Sequence, residues 1–223
     1  MIVLDIESSG LDTGKCGIWQ IGAIDLNNPQ NDFLSEGRID DDDEILNLAK
    51  RPVLEVIGKT EEELRDKNKQ SQKQLILNCL DWLKNLKEKL IVGQNIGWDL
   101  NFIQNKCIKY DIMDKFRESA GQRGMDLHTI AQTKYYQINR KYLLKEKRGS
   151  SDMNLTNILQ FCGIPDYRIK MVEGNTQEVE KKGTTHNALE DCKLEGECFS
   201  RLTYGKNLFP EYSQYKIPKE LSR

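Results

Sequence analysis

The order of hydrophobic and polar residues predicts a group of strands at the start of the chain. Residues 1–6 are almost all apolar, which is typical of a strand covered on both faces. Strand patterns recur over 18–26 and 32–39, and the intervening turns are short and rich in Gly, Ser and Asn. Three consecutive strands joined by short turns predict an antiparallel meander.

Further along the chain, the pattern alternates between helix and strand. The predicted elements are an amphipathic helix with apolar positions from Leu75 to Leu86, a short buried strand over 89–97, a helix over 98–110, a short strand or helix start over 124–132, a helix over 155–164, and a last helix from about 187 to 204. Together with the meander, these elements predict an α/β fold with a mixed sheet flanked by helices.

The chain shows no internal repeat or low-complexity linker, so we expect one domain over 1–204 and a C-terminal tail over 205–223. Two charged runs interrupt the regular patterns. The acidic run 40–44 is interpreted as a solvated loop. The basic segment 141–148 either contacts substrate phosphates or is a solvated loop, and both readings stay open; its cations are Lys141, Lys145, Lys147 and Arg148.

Composition narrows the class of protein. Of 223 residues, 38% are hydrophobic and 30% charged, which is the mix of a soluble globular protein. No apolar run approaches the roughly 20 residues of a membrane span, and no signal-peptide pattern opens the chain, so we expect a cytoplasmic protein. The six cysteines form no C-x-x-C pair and are predicted to be reduced and buried. Because the net charge is −2, phosphate contacts would need local patches or bound metals.

Carboxylates recur at the ends of the predicted elements. Asp5 and Glu7 lie two residues apart in the first strand, so they point to the same face and repel each other. Asp99 follows the buried strand and falls in the first turn of a helix. Asp191 lies near the start of the last helix, five residues after His186; we expect Thr185 or His186 near its N-cap. Taken singly, Asp99 and Asp191 are ordinary for helix starts, where the helix dipole favours negative charge.

The four carboxylates and the imidazole acquire a common explanation when they are considered together. All fall at strand or helix ends that an open α/β sheet brings to one edge. A cluster of four acids is unstable without cations, and hard oxygen ligands suit Mg²⁺ or Mn²⁺. Two such ions, roughly 3.5–4 Å apart, stabilise both the attacking and the leaving oxygen of a phosphoryl displacement.

Three segments resemble the motifs of the DEDDh 3′–5′ exonucleases: "LDIESSGLD", "GQNIGWDLNFI" and "HNALEDC". They occur in the family's order, and the resemblance runs from residue 2 to about 204. It implies the ribonuclease H-like fold, with a mixed five-stranded sheet flanked by helices. Family members often have His at the position of Gln94 and Phe at that of Trp98, so we expect an altered substrate preference with activity retained.

The resemblance also implies a role for each motif residue. Asp5 would bridge two metal ions, Glu7 and Asp191 would complete the first site, and Asp99 would hold the second ion. His186 would be the general base for the attacking water, a role that suits an unperturbed pKa of ~6.5. The residues expected to bind the 3′-terminal nucleotide are Ser8, Ser9, Gly10, Leu11, Asn95 and Trp98. For Trp98, a place in the core remains the alternative to stacking on a base.

The resulting hypothesis is a metal-dependent exonuclease that releases nucleoside 5′-monophosphates from the 3′ end of single-stranded DNA or RNA. The expected partner is nucleic acid with a free 3′ end and not a membrane; a polymerase or a second copy of the chain, as a homodimer, is allowed as a protein partner. The main alternative is a non-catalytic module of the same fold that binds nucleic acid or a polymerase. A phosphohydrolase of the sugar or nucleotide pool is less well supported, because no phosphate-binding loop accompanies the acids.

Overall fold

A five-stranded mixed sheet lies at the centre of the protein, in the strand order β3-β2-β1-β4-β5. The structure is a computed structural model that describes residues 1–47, 52–121, 123–167 and 187–222. In chain order the strands are β1 (Ile2–Ser8), β2 (Ile18–Asp25), β3 (Asp32–Glu36), β4 (Ile91–Gly93) and β5 (Gly124–Asp126). β1, β2 and β3 form the antiparallel meander, and β4 and β5 add in parallel on the other side of β1. The predicted α/β mixed sheet is confirmed.

Helices cover both faces of the sheet. Within the described ranges they are α1 (Val53–Ile57), α2 (Glu61–Leu64), α3 (Gln72–Lys84), α4 (Ile96–Lys109), α5 (Met113–Ser119), α6 (Leu127–Asn139), α7 (Leu155–Phe161) and α8 (Ala188–Tyr204), with a 3₁₀ turn at Pro210–Tyr212. The segment 124–132, for which a strand and a helix start were both open, contains the whole of β5 and the beginning of α6. The Asp126 side chain accepts a hydrogen bond from the His128 backbone N–H (3.2 Å), which caps α6 where the strand ends.

The alternation of side chains along β1 explains its unbroken hydrophobicity. Ile2, Leu4 and Ile6 pack with α3, α4 and α5 on one face. Val3 points to the opposite face and packs with α6, α7 and α8. Because both faces are covered, residues 2–4 of β1 are all apolar. Asp5 and Glu7 lie on the same face of the strand as Val3, toward its carboxyl end.

Helix α8 lies unusually close to the sheet at its first turn. A Cβ added at Gly22 in β2 would come within 2.4 Å of the carbonyl carbon of Ala188, so only glycine permits this approach. The Gln20 side chain in the same strand accepts a hydrogen bond from the Ala188 backbone N–H (2.8 Å). The N-cap of α8 is Asn187, whose side chain accepts bonds from the next turn. Thr185 and His186, which were expected near this N-cap, lie outside the described residues.

The acidic run is partly buried, contrary to its interpretation as a solvated loop. Asp43 is only 4% exposed, and it pairs with the equally buried Lys106 of α4, with 2.6 Å between Oδ1 and Nζ. Gln72 donates to the other carboxylate oxygen of Asp43 (2.6 Å). The interpretation fails because Lys106 reaches Asp43 from a distant part of the chain, which local composition does not reveal.

The segment after Tyr204 packs against α8 through a buried ion pair. Arg201 and Glu197 are fully buried and lie 2.8 Å apart. Arg201 donates to the carbonyl oxygens of Tyr212 and Tyr215, and Glu197 accepts a bond from the Phe209 backbone N–H. The division of the chain at residue 204 stays a prediction.

All six cysteines are buried and free, which confirms the prediction of reduced, core thiols. Within the described ranges, none of the helices combines the length and the apolar character that a membrane crossing requires. The cytoplasmic location stays a prediction.

Candidate active site

Three carboxylates from two distant parts of the chain meet at one end of β1. Asp5 lies within the strand, Glu7 follows two residues later, and Asp191 is the fourth residue of α8. One oxygen from each lies within 4.8 Å of the other two. Glu7 and Asp191 are each only 8% exposed. The close contact between α8 and β2 brings Asp191 to this position.

Asp99 lies beside this group, in helix α4, which follows β4, the parallel neighbour of β1. It occupies the first turn of α4, as predicted, and its Oδ1 accepts a hydrogen bond from the Ile6 backbone N–H (3.3 Å), between Asp5 and Glu7 in sequence. Asp99 is 4% exposed. Burial raises its pKa to about 8, and the backbone hydrogen bonds to its own N–H and that of Ile6 counteract this only in part.

The mutual repulsion of these acids appears most clearly at Asp5. Desolvation raises the pKa of Asp5 well above its ordinary value, and the nearby charges of Asp99, Glu195, Asp191 and Glu7 raise it further. In the absence of a cation, protonation is therefore favoured at Asp5 and Asp99. A bound divalent cation would reverse this preference, because opposite charge stabilises the ionised form.

Glu195 is a member of the acidic surroundings that the motif analysis missed. It is 2% exposed, and its charge raises the pKa of both Asp5 and Cys192. Its spacing of four residues from Asp191 places both on one face of α8, one turn apart. That spacing was the available signal, but the motif ends before it.

The three-carboxylate group fits a divalent cation. Carboxylate oxygens are the hard ligands that Mg²⁺ and Mn²⁺ take, and opposite oxygens on Mg²⁺ lie about 4 Å apart because each bond measures 2.0–2.1 Å. Donor oxygens no more than 4.8 Å apart surround a space of that size.

A second acidic group, formed by Asp40, Asp42 and Asp43, has a different environment. Its carboxylates also lie within 4.8 Å of one another. The Lys109 ammonium lies within 2.7–3.2 Å of all three, and Lys106 binds Asp43. Two lysines therefore offset most of the negative charge of these three carboxylates.

A cavity of about 140 Å³ adjoins the carboxylates on the side of Glu7. Its walls come from the end of β1, from the loop that follows, from α1 and from α4; the lining residues are Ile6, Glu7, Ser8, Gly10, Leu11, Val53, Val56, Ile57 and Trp98. The sequence predicts a short helix and a connection in the mixed, polar segment 45–70, where α1 lies. The contribution of α1 to this cavity was not predicted. The walls of the cavity are mostly apolar, and the carboxylate of Glu7 lies among its lining residues.

The loop after β1 divides into residues that line this cavity and one that supports it. Ser8, Gly10 and Leu11 line it, and the Leu11 side chain is 64% exposed. Ser9 is fully buried, and its hydroxyl donates to the Glu44 carbonyl (2.7 Å) and accepts from the Gly17 N–H (2.8 Å). The expectation that the Ser9 side chain lines the pocket is therefore wrong, since that side chain holds the loop in place.

Trp98 has features of both predicted roles. It is half-buried, packs edge to face on Phe102 with 5.3 Å between ring centroids, and also lines the cavity. Its indole N–H donates to the Leu11 carbonyl (3.2 Å), which ties the loop to α4. Packing in the core is confirmed, and stacking on a base stays a prediction.

Asn95 is exposed at the N-terminus of α4, in a left-handed conformation (φ 60°), one turn before Asp99. Its backbone N–H donates to Asp126 (2.9 Å), so α4 and α6 are linked at this edge. Its predicted contact with substrate stays a prediction. His186, the predicted general base, lies outside the described residues.

The arrangement of strands and helices is the ribonuclease H-like fold found among exonucleases. No protein-family model and no curated protein sequence matches the chain. Among solved structures, the chain is similar to E. coli exonuclease I in complex with a dT13 oligonucleotide (16% identity, TM-score 0.57, 90% of this chain and 40% of that chain). It is likewise similar to the zinc-bound E. coli exonuclease I complex with single-stranded DNA (16% identity, TM-score 0.57, 96% and 42%).

The chain spans about 40% of the length of these exonuclease I chains. At this level of identity the likeness establishes the fold alone. The resemblance to the DEDDh exonucleases noted in the sequence is confirmed at that level.

Proposed function

We propose that this protein is a metal-dependent 3′–5′ exonuclease that acts on single-stranded DNA or RNA and releases nucleoside 5′-monophosphates. One observation carries the proposal: Asp5, Glu7 and Asp191 converge to within 4.8 Å, with Asp99 beside them. The fold supports it, as do neighbours solved with single-stranded oligonucleotides bound.

In this proposal, Asp5, Glu7 and Asp191 would hold one Mg²⁺ or Mn²⁺ ion, and Asp99 with Asp5 would hold a second. The bound ions would supply charge stabilisation to the attacking and leaving oxygens. His186 would accept the proton of the attacking water. The 3′-terminal base would enter the cavity beside Leu11 and Trp98, and the phosphate on its 5′ side would lie beside the ions that the carboxylates would hold.

The direct test is the digestion of 5′-labelled single-stranded DNA and RNA with Mg²⁺, with Mn²⁺ or with EDTA. We expect a ladder that shortens from the 3′ end with either metal and no digestion in EDTA. Asp5→Asn removes a proposed ligand with little change in shape, and His186→Ala removes the proposed base. Both should reduce the rate by at least a hundredfold, since general-base catalysis alone contributes typically 10²–10⁴-fold.

Asp81→Asn is the matched control. It makes the same chemical change as Asp5→Asn, at an exposed position on α3 away from the site. Digestion by Asp5→Asn and His186→Ala at the wild-type rate would show that the site is misassigned. If the folded wild type binds oligonucleotides but digests none of them with either metal, the non-catalytic binding module becomes the better description.

A further inference from the structure

Two tyrosines form an exposed aromatic surface at the end of α6. The rings of Tyr136 and Tyr142 stack with 4.8 Å between centroids and 25° between planes. Both remain accessible, at 40% and 56% of their surface. Tyr142 lies within the basic segment 141–148. We name residues 136–150, which contain both tyrosines and this segment, the basic arm.

The cations of the basic arm have no acidic partner among the residues that the structure describes. Its five basic residues are all exposed, and Glu146 is its single acid; the five are Arg140, Lys141, Lys145, Lys147 and Arg148. None of their side chains forms an ion pair or a hydrogen bond with any part of the chain that the structure describes. Elsewhere, by contrast, lysines such as Lys69 and Lys84 pair with nearby glutamates. The arm therefore presents a concentrated positive charge on a chain whose net charge is −2.

The base of the arm is firmly held against α6. Gln132, which is 8% exposed, donates to the Leu143 carbonyl (2.8 Å) and to the Ser151 hydroxyl (2.6 Å). Ser151 also bonds to His128 Nε2 (2.7 Å). Leu144 and Ser151 form an antiparallel bridge that closes the segment into a hairpin. The orientation of the arm is thus fixed by partly buried polar contacts.

These contacts also connect the arm to the candidate active site. Helix α6 starts next to Asp126, whose carboxylate binds the backbone of Asn95 at the start of α4. Gln94 donates to the carbonyl of Met153, just beyond the arm (3.3 Å). Tyr136 lies ten residues after Asp126 along α6, a distance of about 15 Å at 1.5 Å per residue.

We propose that the basic arm binds the single strand on the 5′ side of the nucleotide held in the active site, with bases stacked on the Tyr136–Tyr142 surface and phosphates near the arm's cations. This inference rests on the proposed function, and it adds a second contact outside the catalytic centre. Stacked aromatic rings next to free cations are the combination by which proteins bind single strands without reading sequence. An acidic protein partner would explain the charge but would not require the two exposed rings.

The aromatic part is tested by oligonucleotide binding in EDTA, measured by fluorescence anisotropy with a 12-nucleotide strand. Tyr136→Leu with Tyr142→Leu retains an apolar contact but removes the ring faces. We expect roughly a tenfold or greater loss of affinity, since stacking on an aromatic ring strengthens binding of a base by that order. Tyr204→Leu is the control, because Tyr204 is 45% exposed at the far end of α8 and should bind as the wild type does.

The charged part is tested by the salt dependence of the same binding. Replacing Lys145, Lys147 and Arg148 by Gln should reduce the slope of log affinity against log salt by about 2, at roughly 0.7 for each phosphate contact to a single strand. The control replaces three exposed lysines outside the arm, Lys67, Lys73 and Lys87, by Gln. That control makes the same change in net charge and should keep the wild-type slope.

Hydrolysis of a dinucleotide separates this inference from the proposed function, because so short a substrate does not span the distance to the arm. With Mg²⁺ or Mn²⁺, the arm variants should hydrolyse it at the wild-type rate while degrading the 12-nucleotide strand more slowly at low concentration. Wild-type affinity and salt slope in both sets of arm variants would overturn the inference. The inference would also be overturned if competition with polyglutamate showed that the arm variants lose affinity equally for any polyanion, with or without bases. Failure of the wild type to hydrolyse the dinucleotide would contradict the proposed function, while the binding measurements would still decide the role of the arm.

Discussion

Replacement of Asp99 by Asn tests the electrostatic description of the site separately from its chemistry. Asparagine has the same shape as aspartate and retains an Oδ1 to accept the hydrogen bond from the Ile6 N–H. The substitution also removes the ionisable carboxyl group. In the metal-free protein, burial disfavours the ionised form of this carboxyl. The folded protein should therefore become more stable in EDTA although a proposed metal ligand is lost.

The magnitude follows from the pKa of Asp99, which burial raises to about 8. An aspartate in the unfolded chain has a pKa of ~3.9 and is ionised at pH 7. Folding at pH 7 must therefore protonate Asp99 at a pH about three units above this unfolded pKa. At about 1.4 kcal/mol per unit, the cost is on the order of 4 kcal/mol. For a chain of this size, that corresponds to a rise in Tm of roughly 10 °C in Asp99→Asn.

The sign of the pH dependence is also fixed by this shift. Because the folded pKa is raised, the folded state binds more protons than the unfolded state between about pH 4 and pH 8. The wild-type contribution of Asp99 to stability is fully present below about pH 4 and is lost as the pH rises through 8. The advantage of Asp99→Asn should therefore be near zero at about pH 4 and largest above about pH 8.

Thermal unfolding followed by circular dichroism, in EDTA and across this pH range, measures the effect. Asp81→Asn on the exposed surface of α3 should show no comparable gain. Addition of Mn²⁺ should raise the Tm of the wild type more than that of Asp99→Asn, while activity is lost in the variant. Equal Tm values for the wild type and Asp99→Asn at pH 8 in EDTA would refute the reasoning, because burial of Asp99 would then carry no electrostatic cost.

Two further predictions concern the packing of α8. Gly22→Ala should push the start of α8 away by about 1 Å, since the new Cβ would lie 2.4 Å from Ala188 against an ordinary minimum near 3.4 Å. We expect the free energy of unfolding to fall by about 1–3 kcal/mol. Nuclease activity should fall roughly a hundredfold, because Asp191 is displaced. Denaturant unfolding and the oligonucleotide ladder measure the two effects, and unchanged activity would show that the contact does not position Asp191. Arg201→Met should lower the free energy of unfolding by about 3–5 kcal/mol, because it leaves Glu197 buried without its cation. Adding Glu197→Gln should recover part of this loss. A double variant as unstable as Arg201→Met alone would contradict this cause.

The elements that the sequence predicted well are those whose patterns depend only on local burial. The apolar run of β1 and the period of α3 reflect the faces that each element turns toward the core, and these faces repeat at 2.0 and 3.6 residues. The placement of Asp99 in the first turn of α4 follows from the same local pattern. A helix of five residues, such as α1, spans little more than one turn and carries too little of this signal. The wall that α1 supplies to the cavity was not expected.

Contacts between distant parts of the chain account for the remaining differences. Asp43 resembles its exposed acidic neighbours in sequence, and its burial depends on Lys106, 63 residues further on. Ser9 resembles a pocket residue, but its hydroxyl binds the backbone of residue 44. Neither arrangement can be read from composition, because a polar side chain becomes favourable inside the protein only when a partner is brought to it.

The sequence by itself determined the mixed α/β architecture, the order of the acidic segments and the residue types able to hold a divalent cation, because periodicity and side-chain chemistry are properties of the chain alone. Only the tertiary structure decided that Asp5, Glu7 and Asp191 lie within 4.8 Å of one another, with Glu195 behind them. The physical reason is the close approach of α8 to β2 at Gly22, a contact between residues more than 160 positions apart that depends on the absence of a single methyl group.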